Sequence, residues 1–247
     1  MSKKKVGITI IIVIIIAIAG VCIGRNCWKN RKIEFADENM AKVICGSIYG
    51  YGKNVTTENI TWEQLDSIKS LNIGYSGYYT TIEDIGKCRN LERLSINSIV
   101  KKYSAAYEIE QGEIPTDLSK KEIEKLQEEL TEVLPKLSEL TELHLADLGK
   151  CNWTAIDFLK GCSQLEVLKI WGSVVDDYSV LKECKSLKTI VLGGCNISSA
   201  EDIIGLENIE YITLRNTPLG DKPEEIKKLQ EAYPDAVIDV ANYEDEE

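Results

Sequence analysis

The stretch LEVLKIWGSVVDDYSVLKECKSLKTIVLGGC, residues 165–195, contains the same phrase twice. Leu165, Leu168 and Ile170 return 22 residues later as Leu187, Ile190 and Leu192. Cys162 and Cys184 each stand three residues ahead of their set. Self-similarity at a fixed period of this length marks a chain of stacked supersecondary units. Inside each unit, apolar and polar residues alternate, as in LKTIVLGG at 187–194. Alternation with period two gives a short strand with one apolar face.

The pattern extends in both directions. Downstream it continues as Ile209, Ile212 and Leu214; upstream lie Leu140/Leu143/Leu145, Leu91/Leu94/Ile96 and Ile68/Leu71/Ile73. The start-to-start intervals are 23, 49, 25, 22 and 22. A coil of 22 residues leaves little chain for the return, so its other side should carry short helical or 3₁₀ turns. Such a coil buries its apolar face only against its neighbours, so the core is continuous and one repeat alone is unstable. Cys88, Cys162, Cys184 and Leu206 occupy one position of the repeat. Alternation of Cys with Leu there indicates a small buried hydrophobe, and the chain has no C-x-x-C. Four of the 8 cysteines, counting Cys195 at the ninth repeat position, are thereby explained; a pair among Cys27, Cys45 and Cys151 stays open.

All six copies fit the L-x-x-L-x-L core of the template L-x-x-L-x-L-x-x-N/C-x-L, with Cys195 at its ninth position, and the pattern resembles the leucine-rich-repeat family. The ends resemble its bacterial internalin-like subtype. ADEN at 36–39 and NITWEQL at 59–65 carry the likeness at the N-terminal end, and LGDKPEEIKKLQEAYPDAVIDV at 219–240 looks like the helix and last strand that close such arrays. Ile226, Leu229 and Tyr233 form the inner stripe of that helix. The resemblance implies an α/β leucine-rich-repeat solenoid with a parallel sheet on the concave face and short turns on the convex one. Its parts would be an N-terminal helical cap at 35–67, repeats at 68–220 and a C-terminal cap with an acidic tail at 221–247.

The 49-residue interval holds an insertion, 101–139. Its first part, 101–117, is polar with Tyr103 and Tyr107 and reads as a protruding loop. Ile123, Leu126, Leu130, Val133 and Leu134 then share one helical face, with Ser119 and Glu122 as a capping box and Pro135 as the stop. That stripe reads as an enlarged convex helix.

Residues 1–32 contain seven Lys or Arg and no acid. The 29 basic residues less these seven leave 22 against 40 acidic, a formal charge of −18 on the body. A body that acidic repels a phosphate backbone, so no nucleic-acid partner is expected. VGITIIIVIIIAIAGVCI, within 6–24, is long enough to cross a bilayer, at roughly 27 Å as a helix. It reads as one N-terminal transmembrane anchor, with 1–5 as a cytoplasmic tail and 25–34 as a juxtamembrane linker. The run exceeds a usual signal core, although Ala17-Ile18-Ala19 leaves cleavage open. Val21 before Cys22 fits a lipoprotein signal poorly. Basic residues flank both sides, so charge does not orient the span. The short tail and the resemblance suggest N-terminus inside and repeats outside.

In the family the odd strand positions project from the concave face. Here they supply Arg93, His144, Lys169, Trp171, Tyr211 and Arg215 as candidate ligand-binding residues, beside Ser95, Val191 and Thr213. Trp171 stands next to Gly193 and Gly194, which either leave a hollow for a partner or lie under the ring. Trp, Tyr and Arg are the side chains that anchor interfaces. With Trp171 outside the core, Trp171→Ala is expected to leave the fold nearly intact. His144 is the single histidine and could pair with Glu142 or Asp147, but no serine elbow or phosphate loop accompanies it. The sequence calls for no cofactor and no metal. Sequons at Asn54, Asn59, Asn152 and Asn196 carry weight only in a eukaryotic secretory pathway.

The expected function is recognition of a protein or a surface glycan by a membrane-anchored extracellular module. The alternative is an envelope accessory subunit acting through its anchor helix, and an enzyme using His144 is a third reading. Protease added to intact cells tests the orientation: the repeats should be digested, and their full protection beside a digested surface control would reverse it.

Overall fold

The computed structural model describes residues 32–50, 57–73, 79–96, 120–145 and 153–241. The anchor at 6–24, the loop at 101–117, and Cys22, Cys27, Cys151, Asp147 and Ser119 lie outside them. Among the described residues no helix is long and apolar enough to cross a membrane.

Seven strands form one parallel sheet in chain order: β1 (Ser70–Ile73), β2 (Arg93–Ile96), β3 (Glu142–Leu145), β4 (Val167–Trp171), β5 (Thr189–Gly193), β6 (Tyr211–Thr213) and β7 (Val237–Asp239). The register aligns equivalent repeat positions. Leu71, Leu94, Leu143, Leu168, Ile190 and Ile212 make one column; Ile73, Ile96, Leu145, Ile170 and Leu192 make the next. All are buried. The start of each strand is fixed by one repeated device. The carbonyls of Lys69, Glu92, Thr141, Glu166 and Lys188 each accept two consecutive amides from the next coil, at 2.8–3.0 Å.

The return side is made of short 3₁₀ segments, Glu83–Lys87, Leu134–Lys136, Asp157–Gly161, Ser179–Glu183 and Ala200–Asp202. The first four end at Cys88, Leu137, Cys162 and Cys184, whose φ of −84° to −106° and ψ of +59° to +73° repeat one corner. At each corner the residue three positions on donates its amide to the corner carbonyl. These corner residues and Leu206 are buried. A left-handed residue follows the strand in three successive coils: Gly172 (φ 60°), Gly194 (φ 64°) and Asn216 (φ 54°). The chain must turn sharply off the sheet there, and Gly and Asn are the residues that enter this region at least cost.

The ninth repeat position carries Ser173, Cys195 and Thr217, all buried. The Ser173 hydroxyl donates to the Trp171 carbonyl at 3.3 Å, the Cys195 thiol to that of Ile170 at 3.4 Å, and the Thr217 hydroxyl to that of Leu214 at 2.8 Å. A small donor is needed because the carbonyls leaving the strand would otherwise be buried without a partner. Asn196 serves the same purpose from the next position. Its amide oxygen accepts from Val175 N–H and the Tyr178 hydroxyl, and its amide nitrogen donates to the Val175 carbonyl.

The insertion supplies the one long convex helix among the described residues. In α3 (Lys120–Val133) the residues Ile123, Leu126, Leu130 and Val133 are buried, and Pro135 stands at the start of the next 3₁₀ turn. Glu129 accepts the Ile82 amide at 2.8 Å and Gln127 accepts that of Ala155 at 3.3 Å. The helix therefore bridges the convex sides of the coils before and after it.

Both ends are capped. At the N-terminal end α1 (Glu38–Tyr49) begins at Asp37, whose carboxylate accepts the Met40 amide and both the amide and the hydroxyl of Thr80. Burial acts to raise the Asp37 pKa, but the bonds from Thr80 and Met40 outweigh it and hold the carboxyl below its ordinary value. The fully buried Asp84 accepts the amides of Ala36 and Asp37 at 2.9 Å and pairs with Lys87 at 2.5 Å. Short α2 (Trp62–Asp66) starts with a reciprocal Thr61–Gln64 capping box. At the other end α4 (Pro223–Ala232) buries Leu229 fully and half-buries Ile226. The half-buried Tyr233 donates its hydroxyl to Ile203 and accepts the amides of Gly205 and Leu206. β7 then adds a seventh strand beyond the six read from the repeat.

Cys45, Cys88, Cys162, Cys184 and Cys195 are buried free thiols. Burial pushes Cys88 and Cys162 up to about 12 and Cys45 and Cys184 up to about 11. Thiolate, the reacting form, is therefore scarce at neutral pH. Native protein treated with a thiol reagent at pH 8 should label these five only on unfolding. Rapid native labelling of Cys88, Cys162 and Cys184 together would overturn the register.

Candidate functional site

Strand alternation aims one set of side chains out of the sheet, and the register stacks them in rows. The first row reads Ser70, Arg93, Glu142, Val167, Thr189, Tyr211, Val237; the second reads Asn72, Ser95, His144, Lys169, Val191, Thr213, Asp239. A third, shorter row pairs Trp171 with Gly193.

Glu142 is the centre of the charged part. Arg93 Nε reaches its Oε2, His144 Nε2 lies 2.5 Å from its Oε1, and Lys169 Nζ lies 3.3 Å from the same oxygen. Three of the six candidate residues thus converge on one carboxylate and tie β2, β3 and β4 together. Burial alone would raise the Glu142 pKa, but its bonds to Arg93 and His144 bring it below the usual glutamate value. His144 moves down as well. Burial is the largest cause, Lys169 and Arg93 add to it, and Glu142 opposes it. The imidazole is therefore mainly neutral at pH 7, with Nε2–H donating to Glu142. Of the two carboxylates considered as its partner, Glu142 is bonded to it, and Asp147 lies outside the described residues.

Arg215 has a comparable role further along. Its Nε donates to Asp239 Oδ2 at 2.9 Å, joining the last repeat to β7 of the cap. Ser95, Val191 and Thr213, expected on the open face, are buried although they point out of the sheet. Tyr211 and Val237 are neighbours in the first row and remain exposed, at 37% and 56%.

Trp171 does not stand beside a hollow. A methyl group built on Gly193 would lie 2.0 Å from its Cζ3 and 2.2 Å from Cε3, so the benzo ring occupies the space a side chain at 193 would take. The ring is half-buried. Its role includes covering the glycine, and its truncation acts on the sheet as well as on any ligand.

The sequence reading missed two partners. Glu142 as a three-way acceptor follows only when Arg93 is set opposite it in register. Asp239 follows only when the cap strand is placed beside the repeats. No group of three or more His, Cys, Asp or Glu side chains able to hold a metal occurs among the described residues. The five described thiols lie in the core with raised pKa values, so none is an activated nucleophile.

This repeating coil, with its aligned aliphatic columns, its position-nine donors and its caps, defines a leucine-rich-repeat solenoid. No protein-family model and no curated protein matches the chain. Similar solved structures include an internalin from Listeria monocytogenes, at 18% identity over 84% of this chain and 63% of that one, with a TM-score of 0.42. An internalin C2 of the same organism matches at 22% identity over 84% of this chain and 94% of its own, with a TM-score of 0.41. A leucine-rich-repeat protein of Leptospira interrogans matches at 18% over 72% of this chain and 38% of its own, with a TM-score of 0.45. These are likenesses of fold; the assignment of the solenoid rests on the register described above.

The packing of Trp171 on Gly193 gives a direct test. Trp171→Ala should lower stability by about 1–2 kcal/mol through lost apolar burial, rather than leave it unchanged. Gly193→Val should displace the ring without removing it, and iodide quenching of tryptophan fluorescence should increase. Unchanged quenching in Gly193→Val would show that the ring lies elsewhere.

Proposed function

We propose that the protein is a membrane-anchored, extracellular recognition module that binds a protein through the concave face of its sheet. The observation that carries this reading is the composition of that face, whose described strands sit on buried aliphatic columns. Arg93, Lys169 and Trp171 are followed along the rows by exposed Tyr211 and Val237, a mixture of cationic, aromatic and aliphatic groups. Interfaces concentrate their binding free energy in such side chains. A rigid sheet loses little conformational freedom on binding. The anchor at 6–24 would hold the module at the bilayer, with the repeats outside. A surface glycan is the neighbouring alternative for the same face, and an accessory subunit working through the anchor is the alternative that does not use it.

Photo-crosslinking of the full-length protein in its native cells separates these readings. A crosslinker placed at Tyr211 should trap a protein adduct, and one placed at convex Lys182 should not. Tyr211→Ala should weaken the captured interaction by about 2 kcal/mol if the residue is a hot spot. Adducts formed equally from both positions, or from the anchor alone, would remove the concave face from the reading.

A further inference from the structure

The concave face is divided by charge. Among the described concave residues, Arg93, Lys169 and Arg215 oppose Glu142 and Asp239, a formal balance of three against two, or +1. The protein as a whole carries −11. Arg215 and Asp239 form a pair of their own. The excess therefore sits on β2–β4, where Arg93 and Lys169 share the single carboxylate of Glu142. The Arg93 side chain is half exposed and that of Lys169 one-third exposed, whereas Glu142 is largely covered, at 16%. The two permanent cations thus present more of their surface to solvent than the anion between them. Beyond them, over β6 and β7, the first row turns apolar and aromatic with Tyr211 and Val237.

His144 lies inside the charged part. Glu142 of its own strand, Lys169 of β4 and Arg93 of β2 are the charged groups that act on it. One carboxylate favours its protonation and two cations oppose it, as does its half-buried position. A second anion brought to this cluster would shift that balance. It would offset Arg93 and Lys169 and make imidazolium the favoured form.

We infer that this face takes an acidic, partly apolar peptide segment, whose carboxylates lie against Arg93 and Lys169, and whose binding adds a proton to His144. The inference rests on the concave-face reading above and assigns its ligand chemistry. An acidic peptide fits better than a neutral one because the face has a net positive charge on a negative protein, so opposite charge is attracted to this region and repelled elsewhere. A peptide fits because the apolar end of the rows offers side-chain contacts in line with the cations.

The direction of the pH effect follows from the charges. The bound anion raises the His144 pKa above its value in the free protein, so binding takes up a proton. Affinity is then greatest below the free-state pKa and falls as pH rises through the bound-state pKa. His144 is the one histidine of the chain, which makes the effect assignable.

The test uses full-length protein in detergent micelles with fluorescein-labelled hexaglutamate as probe and hexaglutamine as control, followed by anisotropy. Hexaglutamate should bind and hexaglutamine should not. Affinity should rise about tenfold from pH 7.5 to pH 5.5, the size of one additional charge interaction near a surface. His144→Gln should lose the rise between pH 7.5 and pH 5.5, which is read as the ratio of the two affinities of that variant and not from its affinity at either pH. Arg93→Gln and Lys169→Gln should each weaken binding at both pH values, and circular dichroism should show that these variants remain folded. Equal binding of the two peptides would overturn the inference, as would an undiminished pH effect in His144→Gln. Tighter binding of heparin than of hexaglutamate would transfer the site to a sulfated glycan and overturn it too. If hexaglutamate fails while Tyr211 still crosslinks a protein, the ligand chemistry is wrong and the concave-face reading stands. If both fail, the face itself is wrong.

Discussion

A coil of this protein has no inside of its own. Leu168 and Ile170 are buried because Leu143 and Leu145 lie on one side of them and Ile190 and Leu192 on the other. Everything else in the structure depends on that side-by-side alignment. It is maintained by a column of carbonyls, from Lys69 to Lys188, each accepting two amides of the coil that follows. A slip by one residue would turn the aliphatic columns outward and the charged rows inward, so the register is strongly specified. The same constraint explains the caps. An end coil buries one flank only, and α1 and α4 cover the flank that has no neighbour.

Polar groups inside the stack follow from the same geometry. Every coil bends twice, and each bend leaves backbone groups without a ladder partner. The ninth-position donors and Asn196 satisfy those at the strand ends, while the residues before the next strand serve the other corner. There Asn90 donates to the Asp66 carbonyl, Ser186 to that of Ser163 and Asn208 to that of Lys185, each reaching back one coil. Asn196 shows how context changes a residue's meaning. In sequence it is a glycosylation sequon; in the fold its amide makes three bonds that hold the turn around Val175. The buried Trp153 indole N–H, which has no partner among the described residues, is an exception for which we have no physical account.

The concave face has two tasks. Its charged residues join strands, through Glu142 at one end and Arg215–Asp239 at the other, and they are also the groups a ligand would meet. In such partly buried ion pairs the cost of desolvation offsets much of the attraction, so they add little net stability. The rigidity of the face comes from the aliphatic columns beneath it, which leaves the upper layer able to exchange one anion for another. Trp171 is the opposite case: its ring is seated on Gly193 and belongs partly to the packing of β4 on β5.

The sequence by itself determined the solenoid, the strand positions, the burial of the repeat cysteines and the convex helix of the insertion. Each of these follows from periodicity, and periodicity is a local property of the chain. The inner stripe of α4 and the closing strand were legible for the same reason. Which outward-pointing residues stay exposed was decided by the tertiary structure alone. Val191 and Thr213 have the same strand parity as Lys169, yet they are buried where Lys169 is not. A His144–Glu142 pair was within reach of the sequence, but Arg93 and Lys169 join it only because the register places Glu142 opposite Arg93 and His144 opposite Lys169. Arg215 looked unengaged until β7 brought Asp239 beside it. Alternation tells which side of the sheet a residue is on; what it touches there depends on strands far away in the chain, and no local pattern contains that information.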